Sequence, residues 1–238
     1  MSAGAVAIVT GAGGGIGAAV CHRLTLSGWS VVAVDIDPDA VACTGDRCLS
    51  LRADVTDTAD VQHMITRTVS ELGSLDTVVN AAGVEGAVRR LDEYPEDAFD
   101  QVMRVNVRGV FLVMKHAFPA LRGSKRASIV NIASTSGIRG RANLAAYVAS
   151  KHAVVGLTRT AALERPTSGV RVNAVLPGPI DTRMIHAIES AGTGIDRAGP
   201  ASMGQPEDVA HVVEFLASAA SRHVNGATWV VDDATTAA

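Results

Sequence analysis

The sequence predicts an α/β fold built on a parallel, doubly wound sheet. Short apolar, β-branched runs alternate with longer stretches of helical spacing along the whole chain. The runs are continuously apolar instead of alternating, which marks strands covered on both faces. The length of 238 residues, 47% of them apolar, suits a single domain over residues 1–238 with one sizeable core. Crossovers between its strands should be right-handed.

The first strand is read at residues 6–9, Val-Ala-Ile-Val. A glycine-rich turn follows, and then Ile16, Val20 and Leu24 recur at helical spacing up to Gly28, a helix stop. The second strand is residues 31–34, and a weaker one covers residues 47–53. Residues 77–79 and 128–132 give two more, and residues 147–163 form a long helix. A strand at residues 170–176 leads into the Gly-, Ala- and Ser-rich segment 183–204, read as a mobile substrate loop. Pro206, Glu207 and Asp208 open another helix, because proline fits the first turn and acids suit the dipole there. Residues 228–231 make the last strand.

Composition excludes several functions. The net charge is −3 with no basic stripe, so no nucleic-acid partner is expected. No apolar run is long enough to span a membrane, and residues 1–10 carry no secretory pattern. Cys21, Cys43 and Cys48 show no metal-ligand spacing and are read as free thiols in a reducing compartment. The protein is therefore expected in the cytoplasm, with no metal site.

The turn reads Thr10-Gly11-Ala12-Gly13-Gly14-Gly15-Ile16-Gly17. Glycine permits a tight turn and close approach of a pyrophosphate, and exposed amides at a helix start favour the anion. A strand before it and a helix after it point to a bound dinucleotide. Asp35, followed by Ile36, ends the second strand. An acid there accepts hydrogen bonds from the adenosine-ribose hydroxyls and repels a 2′-phosphate. No Arg or Lys stands at Gly14 or just after Asp35 to offset that repulsion, so NAD is expected over NADP. Asp54 and Val55 are candidates for the adenine edge.

Tyr147 and Lys151 stand four apart on one helix face. Tyrosine's ordinary pKa is about 10, and lowering it two to three units takes roughly 3–4 kcal/mol. One ammonium near 4 Å supplies about that at an effective dielectric near 20. The phenol can then take a proton from an alcohol or give one to a ketone. Ser134 follows the strand at 128–132, where open α/β sheets bind ligands, with Ser136 as a rival hydroxyl. Asn106 sits inside a helical stretch, where asparagine is a mediocre fit and needs a reason.

In order along the chain, these motifs resemble the short-chain dehydrogenase/reductase family of about 250 residues. The T-G-x-x-x-G-I-G turn, Asn80-Ala81-Ala82-Gly83, Asn106, Ser134, the Y-x-x-x-K pair and Pro177-Gly178-Pro179-Ile180-Asp181-Thr182 carry the likeness. It implies a Rossmann-type seven-stranded parallel sheet ordered 3-2-1-4-5-6-7 and a homo-oligomer, a tetramer ahead of a dimer. It implies Tyr147 as general acid/base, with Lys151 holding the nicotinamide ribose and lowering the Tyr147 pKa. It implies Ser134 orienting the substrate oxygen and Asn106 holding a water in a proton relay. Gly11, Gly13, Gly14, Gly15, Ile16, Gly17, Asn80, Ala81, Ala82, Gly83, Pro177, Gly178, Ile180 and Thr182 would line the cofactor cleft. The tail departs from the family, reading Val231-Asp232-Asp233-Ala234 where V-D-G-G is common.

The expected activity is interconversion of a secondary alcohol and its ketone with NAD(H). Candidate substrates are a cyclic alcohol, hydroxysteroid, dihydrodiol or hydroxy acid. A 3-oxoacyl thioester reductase using NADPH and a catalytically silent cofactor sensor are the alternatives. Arg139, Arg141, Glu85 and Arg183 flank the expected cleft and are read as solvated surface residues, with pairing to a charged substrate as the other option.

Overall fold

A computed structural model describes residues 4–43, 45–164, 169–191 and 203–237. One seven-stranded sheet runs through it, ordered β3-β2-β1-β4-β5-β6-β7 with every pairing parallel. Its strands are β1 (Val6–Thr10), β2 (Ser30–Asp35), β3 (Cys48–Arg52), β4 (Thr77–Asn80), β5 (Ser128–Ile132), β6 (Arg171–Pro177) and β7 (Thr228–Val231). The helices are α1 (Gly15–Leu26), α2 (Thr58–Leu72), α3 (Glu96–Met103), α4 (Val110–Leu121), α5 (Ala145–Leu163), α6 (Arg183–Ser190) and α7 (Pro206–Ala217). The predicted order is therefore the observed one, and each predicted strand lies within two residues of its place.

Two buried clusters divide the strands by their period of two. Ile8, Val32, Val78 and Ile129 pack with Met64 of α2, Val113 of α4 and Val154 of α5. Ala7, Val9, Val31, Val79 and Val130 pack on the other face with Val20 and Leu24 of α1 and Val213 of α7. This double burial explains the continuously apolar runs. An ion pair from Arg23 to Glu214, 2.6 Å long, links α1 to α7 at the rim.

Two expectations are corrected. Cys43 and Cys48 are joined in a disulfide, and only Cys21 is a free thiol. The two cysteines frame a five-residue separation whose ends β3 brings together, with Cα atoms 6.0 Å apart; sequence spacing gave no signal of this pairing. The segment 183–204 is not one loop. Thr182 caps α6 by accepting from the Ile185 amide, and residues 183–190 are helical. Residues 192–202 lie outside the described ones. Beyond them, Gly204 bonds back to Pro179 and Asp181, which fixes the segment's far end beside β6.

Candidate active site

The segments after β4 and β6 pack on the turn Thr10–Gly15 that follows β1. Gly11 has φ of +68°, and a Cβ there would stand 2.6 Å from the Ala82 backbone. A Cβ on Gly17 would stand 2.0 Å from the Gly11 carbonyl oxygen. These two glycines are thus required by the turn itself and by its packing on the segment after β4. Gly14 caps α1 without a side chain, so the first amides of the helix face outward. Gly15 lies under Thr182, bringing the β6 turn over the start of α1.

Asp35 reaches this turn. Its Oδ2 accepts a hydrogen bond from the Gly13 amide at 2.9 Å, and its Oδ1 accepts one from Asp37 at 3.2 Å. The carboxylate therefore stands beside the glycine cradle, where the sequence placed it. Ile36 is exposed next to it. Asp54 accepts from the Thr56 amide, and Val55 is buried against Gly109. Asn80 is almost fully buried and donates to Asn131 at 2.8 Å, while its own Oδ1 has no partner. Ala82 donates from its amide to Thr10 Oγ1, holding the 80–83 turn to β1.

Asn106 lies in a π-helical segment, Arg104–Gly109, between α3 and α4. Such bulges break the regular hydrogen-bond ladder and collect at functional sites. The Asn106 side chain accepts from the Val84 amide at 2.8 Å and donates to the Val84 carbonyl and to Ser150. It thus latches the 80–84 turn to α5, one residue from Lys151. That use accounts for a poor helix former at this position.

The chemical groups converge in one cleft. Ser134, Tyr147 and Lys151 line it with Ala81, Gly83, Pro177, Gly178, Ile180 and Thr182, enclosing about 780 Å³ including the part open to solvent. Ser134 takes an extended backbone after β5 and caps a short 3₁₀ turn, accepting from Ser136 at 3.1 Å. Lys151 is only 6% exposed and donates from Nζ to the Ile132 carbonyl at 3.0 Å. Its ammonium lies 5.5 Å from the centre of the Tyr147 ring.

The electrostatics differ from the sequence expectation. Burial pushes the Lys151 ammonium down to about 8, because a low-dielectric site penalises the charged form. Burial likewise raises the Tyr147 phenol above its ordinary value. A hydrogen bond from Ser134 and the charge of Arg141 oppose that rise, and Glu85 reinforces it. The chain alone therefore does not depress the Tyr147 pKa through Lys151. The ammonium is turned toward Ile132, and desolvation dominates at both groups.

The cleft also holds residues that sequence reasoning undervalued. Arg141 lines it instead of standing on the solvated surface. Leu144, Met184, Ile185 and Ile188 form an apolar wall. The last three share one face of α6 by helical spacing. Arg183 is exposed, as expected of a solvated residue. Among the described residues no group of three His, Cys, Asp or Glu is placed to hold a metal, and no helix is long and apolar enough to cross a membrane.

A doubly wound parallel sheet, a glycine cradle at its first turn and a Tyr-Lys pair facing a Ser across one cleft define a nucleotide-dependent oxidoreductase. A family model described as Enoyl-(Acyl carrier protein) reductase matches residues 11–235. The chain is 37% identical to cyclohexanol dehydrogenase of Acinetobacter sp. (strain SE19), over 97% of this chain and 94% of that protein. It is 38% identical to cis-4-hydroxycyclohexanecarboxylate dehydrogenase of Sinomonas cyclohexanicum, over 98% and 96%. The crystal structure of levodione reductase superposes with a TM-score of 0.90 at 33% identity, covering 98% of both chains. The chain belongs to the short-chain dehydrogenase/reductase family.

Proposed function

We propose that this protein is an NAD(H)-dependent dehydrogenase that interconverts a secondary alcohol, carried on a ring, and its ketone. The carrying observation is the convergence of Ser134, Tyr147 and Lys151 in one cleft beneath the glycine cradle. Relatives named for cyclohexanol and for cis-4-hydroxycyclohexanecarboxylate support a cyclic alcohol. The Asp35 carboxylate beside the Gly13 amide supports NAD over NADP, since a 2′-phosphate there would meet a fixed negative charge.

The residues present fit a dinucleotide. A Cβ on Gly13 or Gly15 would meet Ala40 or Thr182 within 3 Å, so the cradle admits backbone only. The unpartnered Oδ1 of Asn80 leaves one buried acceptor at the turn that borders the cleft. Asp35 would hold the adenosine ribose, with Ile36, Asp54 and Val55 near the adenine. Lys151 would hold the nicotinamide ribose, and Ile180 and Thr182 its carboxamide. When bound, the dinucleotide supplies the hydride acceptor or donor.

The chain's own residues manage the proton. Tyr147 Oη takes the hydroxyl proton of the alcohol, or returns it to the ketone oxygen. Ser134 Oγ donates to that oxygen and fixes its distance from the phenol. Lys151, charged near neutrality, stands 5.5 Å from the centre of the Tyr147 ring, where it would hold the nicotinamide ribose next to the phenol. Asn106 latches the turn beside Lys151 and is proposed to hold the water of a proton relay. The same residues form one catalytic domain, proposed to work as a homo-oligomer, a tetramer ahead of a dimer. The exposed Trp229 and Val230 on edge strand β7 support subunit contact there.

A panel of secondary alcohols, including cyclohexanol and cis-4-hydroxycyclohexanecarboxylate, tests this with NAD+ and NADP+ in parallel, followed at 340 nm. Turnover with NAD+ is the expected result. Faster turnover with NADP+ would favour the 3-oxoacyl thioester reductase reading instead.

A further inference from the structure

We propose that Arg141 anchors a carboxylate on the substrate, so that the preferred alcohol is a cyclic hydroxy acid. This rests on the alcohol-dehydrogenase reading of the same cleft and names the substrate's second functional group.

Arg141 lines the cleft from the segment that joins Ser134 to the Tyr147 helix. It donates no hydrogen bond to any described residue, and its Nε is shielded from solvent with no partner. A shielded donor left unpaired is costly and calls for a ligand. No carboxylate of the described residues lies within ion-pairing distance of Arg141. The charge that acts on it most is the like charge of Arg139, whose own Nε is also unpartnered. Arg139 spends one donor on the Thr235 carbonyl at 3.3 Å. Glu85 is the acid whose charge reaches the same corner, through Tyr147, without forming an ion pair there. Two guanidiniums without an acid between them favour an anion.

The surroundings select its shape. Leu144, Met184, Ile185 and Ile188 give the cleft an apolar wall, suited to a ring. Apolar pockets with few placed polar groups orient a ligand by those groups. Ser134 and Tyr147 face the carbinol oxygen, and Arg141, whose charge reaches Tyr147, supplies a second polar point in the same cleft. Lys151 is not a rival anchor, because one donor of its ammonium bonds to Ile132 and the others are assigned to the nicotinamide ribose. The guanidinium fork matches the planar carboxylate with two parallel hydrogen bonds.

The test compares wild type with Arg141→Gln and Arg141→Lys on cis-4-hydroxycyclohexanecarboxylate and cyclohexanol. The readout is the ratio of kcat/KM for the two alcohols. Both use the same phenol, so any effect of Arg141 on Tyr147 cancels in that ratio. In wild type the ratio should favour the acid. In Arg141→Gln it should fall by about 10- to 100-fold, the worth of a charged hydrogen-bond pair, chiefly through KM. Arg141→Lys should fall between, keeping charge without the fork. Circular dichroism confirms that the variants are folded. A second readout needs no turnover: calorimetric titration of cyclohexanecarboxylate into protein saturated with NAD+, where Arg141→Gln should weaken binding at least about 10-fold. An unchanged ratio, or equal binding by wild type and Arg141→Gln, overturns the proposal. If neither alcohol turns over, the dehydrogenase reading fails, and the titration alone still decides for or against Arg141.

Discussion

Replacing Lys151 by Met should make the protein's stability depend less on alkaline pH. Lys151 is buried and held near 8, whereas an unfolded lysine titrates near ~10.4. The folded state therefore binds fewer protons than the unfolded state between those values. Stability rises with pH wherever the unfolded chain holds more protons. Below pH 8 the buried ammonium costs its full amount, about 3 kcal/mol from a gap of roughly 2.4 units. As pH rises from 7 to 9.5, about 2 kcal/mol of that cost should be relieved. Lys151→Met has no ammonium and gains nothing over this range. Other groups titrate alike in both proteins, so the difference isolates Lys151. The lost bond to the Ile132 carbonyl adds a constant and does not alter the slope. Urea unfolding followed by circular dichroism, at several pH values and without cofactor, gives the two curves. Wild type should gain on the variant by about 2 kcal/mol by pH 9.5. Curves that stay parallel within about 0.5 kcal/mol would show that Lys151 is not desolvated and refute the reasoning.

Other perturbations reach different parts of the structure. Tyr147→Phe removes the proton carrier and should abolish alcohol oxidation while NADH binding, read by fluorescence, stays within a few-fold; retained turnover would dismiss the assigned base. Asp35→Ser should lower kcat/KM with NAD+ by about 10- to 100-fold, the worth of a charged hydrogen bond, and narrow the gap to NADP+. Gly17→Ala places a Cβ against the Gly11 carbonyl and should cost about 1–3 kcal/mol of stability by overpacking, measurable as a lower urea midpoint. Ala234 has φ of +62°, a conformation that costs an L-residue about 1–2 kcal/mol. Ala234→Gly should therefore raise stability by about 0.5–1 kcal/mol after the entropy of glycine is deducted; a fall in the thermal midpoint would count against that strain.

The tail shows how a departure in sequence becomes a fact of structure. Asp233 and Ala234 stand where glycine is common in the family, and both take positive φ. The turn is kept because Asp232 clamps it, accepting from the Thr236 amide at 2.8 Å and hydroxyl at 2.6 Å. Gly178 leaves room beneath it, since a Cβ there would lie 2.6 Å from that of Asp232.

Much of the fold was legible because its signals are local. The double burial of Ile8 and Val9 on opposite faces writes itself as an unbroken apolar run. The Tyr147–Lys151 pair lies on one helix face by spacing alone. Other features are tertiary and left no local mark. Cys43 and Cys48 meet only because β3 brings the chain back beside the loop after Asp35. Helix α6 was obscured by the Gly-rich residues that follow it, although its cap, Thr182, was in view. The upward shift of the Tyr147 phenol in the chain alone is tertiary in the same way. Spacing places an ammonium near the phenol but does not show that Lys151 turns to Ile132 or that both groups are desolvated.

The same distinction separates reaction from specificity. The reacting end of the cleft is set by backbone: a strand end holds Ser134, a helix turn holds Tyr147 over Lys151, and glycines hold the cradle. Each has a fixed offset in sequence, so the chemistry can be read there. The rest of the cleft wall is assembled from side chains of α6 and of the segment before α5, which share no spacing. Arg141 is informative there because of what it lacks, a partner for a shielded donor. That lack is a property of the folded surroundings, and no residue type or interval in the sequence encodes it. An unpaired donor beside an apolar wall is tolerated when a ligand completes it, so the unpartnered Arg141 is the group of the cleft that speaks to its substrate.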